Sequence, residues 1–65
     1  MNIPKLKGAM AERGVSVAAL SAKTNIERSR LYRRLTTGKI TVEEAQKITE
    51  ALNLTIEEAV VIFLR

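Results

Sequence analysis

Hydrophobic and polar residues recur along this chain with the spacing of helices, and no segment shows the two-residue alternation of a strand. In the first segment, the inward positions lie three or four residues apart: Ile3, Leu6, Met10 and Arg13, with Ala9 beside them. Such a stripe covers one narrow face of a helix. Asn2 is a favourable N-cap for this first helix, and Gly14 is a favourable residue to end it, because glycine readily adopts the left-handed conformation.

A second, short helix is predicted directly afterwards. Ser16 is its N-cap candidate, and the helix runs through Thr24 with Val17, Leu20 and Thr24 facing inward. Asn25 follows, and asparagine accepts a positive φ better than most other residues do. The sequence therefore predicts a tight turn at Asn25.

The third predicted helix runs from Arg28 to about Thr36, and Ile26 fills the core just before it. Leu31 and Leu35 lie four residues apart and define its inward face. Gly38 ends the helix. Only about three residues separate the second and third helices, which is the spacing of a helix-turn-helix over residues 16–36.

Two capping boxes then start two more helices. Thr41-Val42-Glu43-Glu44 and Thr55-Ile56-Glu57-Glu58 each place threonine at the N-cap and glutamate three residues later. The fourth helix is expected to bury Val42, Ala45, Ile48 and Leu52, and Asn53 with Leu54 closes it. The fifth covers about residues 55–64. The pattern thus predicts an all-α protein of five short helices, forming a single domain over residues 1–65.

Composition narrows the function classes. The 65 residues include no Cys, His, Trp or Asp, so disulfides and a Ser-His or Cys-His nucleophile are excluded, and no zinc site is expected without His or Cys ligands. The longest apolar run is six residues, far below the roughly 20 that span a bilayer. The N-terminal residues lack the apolar stretch of a secretory signal. We therefore expect a cytoplasmic protein that acts by contact, with no enzyme activity, cofactor, metal, membrane or small-molecule substrate evident.

The charge is divided unevenly between two parts of the chain. Residues 1–40 carry nine basic and two acidic residues, a net charge of +7, whereas residues 41–65 carry two basic and five acidic residues, a net charge of −3. A basic segment of this kind suits a polyanionic partner such as double-stranded DNA. A solvated face with charge distributed by chance is the alternative.

The third helix concentrates the candidate chemistry. Leu31 and Leu35 define the inward direction of this helix, and Arg33 points almost opposite to it. Ser29 and Arg30 also lie on the outward side, and Tyr32 and Arg34 lie on the two flanks. Arg28 lies in the first turn, from which its long side chain reaches outward. Arginine pairs with guanine edges or with phosphate, and hydroxyl groups accept or donate to either. We assign base readout to Arg28, Ser29, Tyr32 and Arg33, and phosphate contact to Arg30 and Arg34.

A family resemblance covers Lys5 to Phe63. The chain resembles the small phage repressor and Cro-type (XRE-like) helix-turn-helix regulators in two stretches. The first comprises Ser16 to Ser21, Asn25-Ile26, Ser29, Leu31-Tyr32-Arg33 and Leu35. The second comprises Leu52-Asn53-Leu54-Thr55 with Glu57-Glu58. The resemblance implies a compact lambda-repressor-like domain. It also implies that Ser16 and Val17 offer backbone N–H groups to phosphate and that Lys39 follows the DNA backbone. Here Glu27 occupies the N-cap of the third helix, where the family commonly has Ser or Thr.

The last helix has more apolar residues than a helix of so small a protein can bury. In the family that this chain resembles, C-terminal helices often pair across a two-fold axis, which places two recognition helices about 34 Å apart. We therefore expect a homodimer that uses Val60, Val61, Phe63 and Leu64, with the acidic residues of the second half facing away from phosphate.

Together these observations predict a sequence-specific DNA-binding transcriptional regulator, a phage or bacterial repressor or Cro-like protein, in the host-cell cytoplasm or at the nucleoid. Two alternatives stay open. One is a protein-interaction module of the antirepressor or antitoxin kind, which would use the apolar last helix. The other is an architectural DNA binder that would use the same arginines without discriminating between bases.

Overall fold

Five helices follow one another in the order that the hydrophobic pattern predicts. The computed structural model describes all 65 residues and contains no strand, which confirms the all-α fold class. The helices are α1 Ile3–Glu12, α2 Val17–Thr24, α3 Arg28–Thr37, α4 Val42–Leu52 and α5 Ile56–Ala59. A π-helical segment, Val60–Leu64, continues α5. None of these helices has the length and apolar composition needed to cross a bilayer.

The helix starts are set by the side chains that the sequence offers for capping. Ser16 accepts a hydrogen bond from the Ala19 amide at 3.1 Å, and Asn2 does the same for the Lys5 amide. Both capping boxes are complete, since Thr41 pairs with Glu44 and Thr55 pairs with Glu58. Each box satisfies two backbone N–H groups that a helix start leaves without partners. The four predicted N-caps are therefore confirmed.

The helix ends are likewise determined by residues close to them in the sequence. Gly14 has φ +64°, and the Val15 amide donates to the carbonyl of Met10 at 2.9 Å, which closes α1 in a Schellman motif. Asn53, with φ +53°, ends α4 in the same way that Gly14 ends α1, and the Leu54 amide donates to the carbonyl of Thr49 at 3.0 Å. Gly38, with φ +75°, ends α3.

The core receives one fully buried large side chain from each of α1 to α4 and from the π-helical segment, and none from α5. Less than 2% of the surface of these residues is exposed: Leu6 of α1, Leu20 of α2, Leu31 of α3, Ile48 of α4 and Ile62 of the π-helical segment. Complete burial of such a side chain stabilises the fold by about 1.5–3 kcal/mol. Ala9, Met10, Leu35, Leu52 and the predicted core residue Ile26 complete this cluster. The core thus buries the face of α3 that carries Leu31 and Leu35.

Two predicted inward positions differ in the structure. Val42 is 77% exposed, so its predicted burial is wrong. The buried residue at the start of α4 is Glu44, which lies about 200° around the helix from Val42. Arg13 lies on the inward side as predicted, but its contacts are polar rather than apolar, because its guanidinium donates to the Leu52 carbonyl at 2.7 Å and to Glu58.

The two ends of the chain meet. The Asn2 amide donates to the carbonyl of Ile62 at 2.6 Å, so the residue that caps α1 also satisfies a carbonyl of the π-helical segment. Together with the packing of α1 against that segment, this contact fixes the C-terminal residues to the body of the protein.

Candidate nucleic-acid interface

The turn between α2 and α3 is held by hydrogen bonds from side chains as well as by its backbone. Asn25 has φ +61°, as its position predicted, and its amide donates to the carbonyl of Ser21. The Ser21 hydroxyl donates to the carbonyl of Ile26 at 2.6 Å, and the buried Thr24 hydroxyl accepts from the Ile26 amide at 3.2 Å. These bonds fix the angle at which α3 leaves α2. Sequence reasoning missed Ser21, although a hydroxyl four residues before the turn is a usable signal.

The outward face of α3 carries most of the predicted contact residues. Leu31 and Leu35 are buried, whereas five of the predicted residues on this helix are exposed to solvent: Arg28, Ser29, Arg30, Tyr32 and Arg33. Tyr32 keeps 55% of its surface exposed. Arg28, Arg30 and Arg33 form no ion pair with any acidic residue. Their guanidinium groups are therefore free to bind an external anion.

Glu27 places a carboxylate at the leading end of α3. Its side chain makes no N-cap hydrogen bond, and instead it accepts a hydrogen bond from the Ser29 hydroxyl. The predicted base contact Ser29 is thus oriented by an acidic neighbour, with its oxygen lone pairs still available to accept a donor.

One flank of α3 meets the start of α2. Tyr32 and Thr36 of α3 line the same groove as Ser16, Val17 and Lys7, and this groove has a volume of about 420 Å³. The amides of the first turn of a helix have no partner within the helix, so the start of α2 presents N–H donors here. The structure therefore brings together two predicted phosphate contacts, Ser16 and Val17, and one predicted base contact, Tyr32.

The other flank of α3 faces the start of α4. Arg34 donates from Nε to Oε1 of Glu44 at 2.9 Å and from Nη2 to Oε2 at 3.3 Å. Arg30 and Arg34 share a polar cleft of about 350 Å³ with Glu43, Glu44 and Lys47. Glu44 departs from the expectation that the acidic residues face away from the DNA-binding side, because it contacts α3 itself.

Lys39, the remaining predicted phosphate contact, is exposed in the connection between α3 and α4. Lys39 comes directly after the left-handed turn at Gly38, and its amide donates to the Thr37 hydroxyl at 3.3 Å. The side chain therefore starts from an ordered backbone beside the basic helix.

Two glutamates have lowered pKa values for related reasons. Burial acts to raise the pKa of Glu44, but hydrogen bonds from Arg34 and Thr41 outweigh it, so the pKa lies below its ordinary value of 4.5. The Thr55 amide and the Arg13 guanidinium likewise lower the pKa of Glu58. Both carboxylates are therefore charged at neutral pH, and each holds an arginine from another helix.

The predicted dimer residues lie on two faces rather than one. Phe63 and Leu64 line a groove of about 500 Å³ against α4. Its other lining residues are the apolar Ile40, Val42 and Ala45 and the polar Thr41, Gln46, Thr49 and Glu50. Val60 and Val61 line a smaller hollow of about 310 Å³ with Ile56 and Arg65. Sequence reasoning missed Val42 and Ile56 as exposed apolar residues, because their positions in the first turn of a helix were read as inward or left unassigned.

The fold and this surface define a helix-turn-helix DNA-binding domain: two short helices at a tight turn, with the second exposing a row of unpaired arginines. The family model of the Cro/C1-type HTH DNA-binding domain matches residues 5–63, and the chain belongs to that family. This confirms the resemblance that the motif residues indicated. No curated protein and no solved structure matches the chain.

Proposed function

We propose that this protein is a sequence-specific transcriptional regulator that reads an operator through α3. The observation that carries this proposal is the exposed face of α3, on which Arg28, Ser29, Tyr32 and Arg33 are all exposed and neither Arg28 nor Arg33 has an acidic ion-pair partner. In helix-turn-helix proteins the second helix enters the major groove, where arginine pairs with guanine O6 and N7. Base readout is therefore assigned to these four residues.

Phosphate contacts would fix the register of that helix on the duplex. The start of α2, with Ser16 and Val17, lies on one side of α3, and Arg30 lies toward the other, while Lys39 is exposed in the connection that follows α3. Contacts on both flanks suit the two sugar-phosphate strands that border a major groove. These contacts carry no sequence information themselves but would orient the reading residues.

A homodimer is part of the proposal. Leu64 is 78% exposed and Val42 is 77% exposed, and both line the groove against α4. Pairing of two copies through apolar residues of this kind would present two α3 helices to a palindromic site, with half-sites about 34 Å apart. A phage or bacterial repressor, acting in the cytoplasm or at the nucleoid by occupying its operator, fits this arrangement.

Selection of bound sites from a pool of random duplexes tests the proposal. We expect enrichment of one short palindrome, which the protein binds at least about a thousandfold more tightly than random DNA. The affinity should fall steeply as the salt concentration rises, because phosphate contacts release counterions. Equal affinity for every duplex would instead indicate an architectural DNA binder.

The exposed apolar residues favour one second candidate, a protein-interaction module. Ile56, at 83% exposure, and Leu64 are large side chains of the kind that interfaces cover. If the selection yields no bound DNA at all, this candidate replaces the regulator.

A further inference from the structure

Arg34 stands apart from the other arginines of α3. Only 24% of its side chain is exposed, and its guanidinium is held by both oxygens of Glu44, whose own side chain is 9% exposed. Arg28, Arg30 and Arg33 are exposed and have no such partner. One of the four arginines is thus already bound to an anion within the protein.

Glu44 is fixed in place independently of Arg34. Its Oε1 accepts from the Thr41 amide at 3.0 Å, and its own amide donates to the Thr41 hydroxyl at 3.1 Å. The capping box therefore holds the carboxylate against α3, and a rotation away from Arg34 would break the helix cap as well as the ion pair.

The Arg34–Glu44 contact uses the same fork of N–H donors that would otherwise bind phosphate. A guanidinium edge presents parallel N–H groups that match either a carboxylate or a phosphate, so a phosphate would compete with Glu44 for the Nε and Nη2 edge of Arg34. If Arg34 moved to a DNA phosphate, it would leave the buried carboxylate of Glu44 without its cation, which is strongly unfavourable. The buried position of Glu44 therefore favours retention of the internal pair over a contact between Arg34 and phosphate.

A second pair of the same construction supports a positioning role. Glu58, in the other capping box, accepts from Nη2 of Arg13 at 3.0 and 3.1 Å, and Arg13 also donates to the Leu52 carbonyl. Arg13 lies at the end of α1 rather than on α3. The chain thus uses capping-box glutamate with a distant arginine as a device that joins helices.

We propose that Arg34 is a positioning residue that ties α3 to α4, and that Glu44 withholds its guanidinium from the DNA backbone. The inference rests on the proposed DNA-binding function and limits it, because it removes one of the cations predicted to contact phosphate. Glu44 then lowers the sequence-independent part of the affinity while it fixes the orientation of the reading helix.

The test is the salt dependence of DNA affinity. Each phosphate contact contributes about 0.9 to the slope of log K against log salt concentration. With a mixed-sequence duplex of about 20 base pairs as the probe, we expect Arg34→Gln to keep the wild-type slope. Arg30→Gln should reduce the slope by about 0.9 for each bound protomer.

Glu44→Gln gives the opposite and more specific result. Glutamine keeps much of the helix cap but releases the charge of Arg34, so the slope should rise by about 0.9 per protomer and binding to the mixed-sequence duplex should tighten at low salt. Glu43→Gln is the matched control, since it removes the same charge one residue away and its carboxylate pairs with Lys47 instead. The double variant Arg34→Gln/Glu44→Gln should return to the wild-type slope.

The outcomes separate this inference from the proposed function. A slope for Arg34→Gln that falls as far as that of Arg30→Gln would show that Arg34 contacts phosphate and would overturn the inference alone. Equal slopes for Glu44→Gln and Glu43→Gln would also overturn it. If Glu44→Gln does not fold, as monitored by circular dichroism, the Arg34→Gln slope still decides. Absence of DNA binding by the wild-type chain would overturn both proposals.

Discussion

Arg33 is the residue whose replacement should separate reading of bases from general attraction to DNA. It points almost directly away from the buried Leu31 and Leu35 and has no ion-pair partner. If it pairs with a guanine in the major groove, Arg33→Ala should weaken operator binding by about 1–3 kcal/mol and relax the preference at one base position. Arg65→Ala, which removes the same charge far from α3, should leave that preference unchanged. Unaltered operator affinity in Arg33→Ala would remove α3 as the recognition helix.

Asn25 shows how one backbone angle positions the whole interface. Its φ of +61° costs most residues about 1–2 kcal/mol, whereas asparagine and glycine adopt it readily. Asn25→Ala should therefore lower the free energy of unfolding by about 1 kcal/mol, measured by urea denaturation. Asn25→Gly should stay within a few tenths of a kcal/mol of wild type. Equal losses in the two variants would mean that the side chain of Asn25, rather than its backbone angle, stabilises the turn.

At the scale of the helices, the two capping boxes make stability depend on pH in a defined direction. The pKa values of Glu44 and Glu58 in the folded protein lie below the ordinary value of 4.5. Between the folded and the ordinary pKa, the unfolded chain binds more protons, so stability falls as the pH falls through this window. The contribution is complete above about pH 4.5 and is lost progressively at lower pH.

Denaturation curves recorded between neutral and acidic pH check this dependence. Glu44→Gln removes one of the two carboxylates whose pKa is lowered in the folded protein, so its free energy of unfolding should change less with pH than that of wild type. Glu43→Gln serves as the control, because Glu43 lies mostly in solvent with a side-chain exposure of 78%. A Glu44→Gln variant as sensitive to acid as wild type would contradict the assignment of the shift to this ion pair.

The helices were predictable to the extent that short-range chemistry determines them. Ser16, Thr41 and Thr55 start helices through bonds to residues three positions away, and Asn25 and Gly38 end them through their own φ angles, so the sequence contains the whole signal. The ion pairs were not predictable in the same way. Arg34 and Glu44 lie 10 residues apart, and Arg13 and Glu58 lie 45 apart, so their contacts depend on how the helices pack.

In the candidate interface, too, some features follow from the local sequence and others depend on how the helices pack. The outward set on α3 follows from the angle of each residue around one helix, and the structure places these side chains in solvent as that angle implies. Which flank meets α2 and which meets α4 is a property of the tertiary fold. For that reason the sequence analysis grouped Arg34 with the free arginines, although Glu44 binds it, and placed Val42 in the core, although Glu44 is the buried residue at the start of α4.

At the scale of the whole molecule, the apolar C-terminal residues decide how two copies would pair. The groove that contains Phe63 and Leu64 is the larger of the two C-terminal hollows and includes the exposed side chains of Val42 and Leu64. Its other wall runs along α4 from Val42 to Glu50 and includes Ile40 and Thr41 of the connection that carries Lys39. Pairing through this groove would therefore keep the second copy near the DNA-binding side.

Leu64→Glu should consequently reduce the assembly on a palindromic duplex from two protomers to one, measured by sedimentation of the complex. A charge placed in an apolar contact has no partner there, so it opposes burial of the groove. The bound pair gains affinity because the second protomer binds at a high effective concentration, and that gain should be lost together with the second copy.

Ile56→Glu adds the same charge on the other face and should still give two protomers per duplex. If Ile56→Glu is the variant that loses the second protomer, the copies pair through Val60 and Val61 instead. If both variants keep two, neither face is the dimer contact, and the second copy is recruited by the DNA alone.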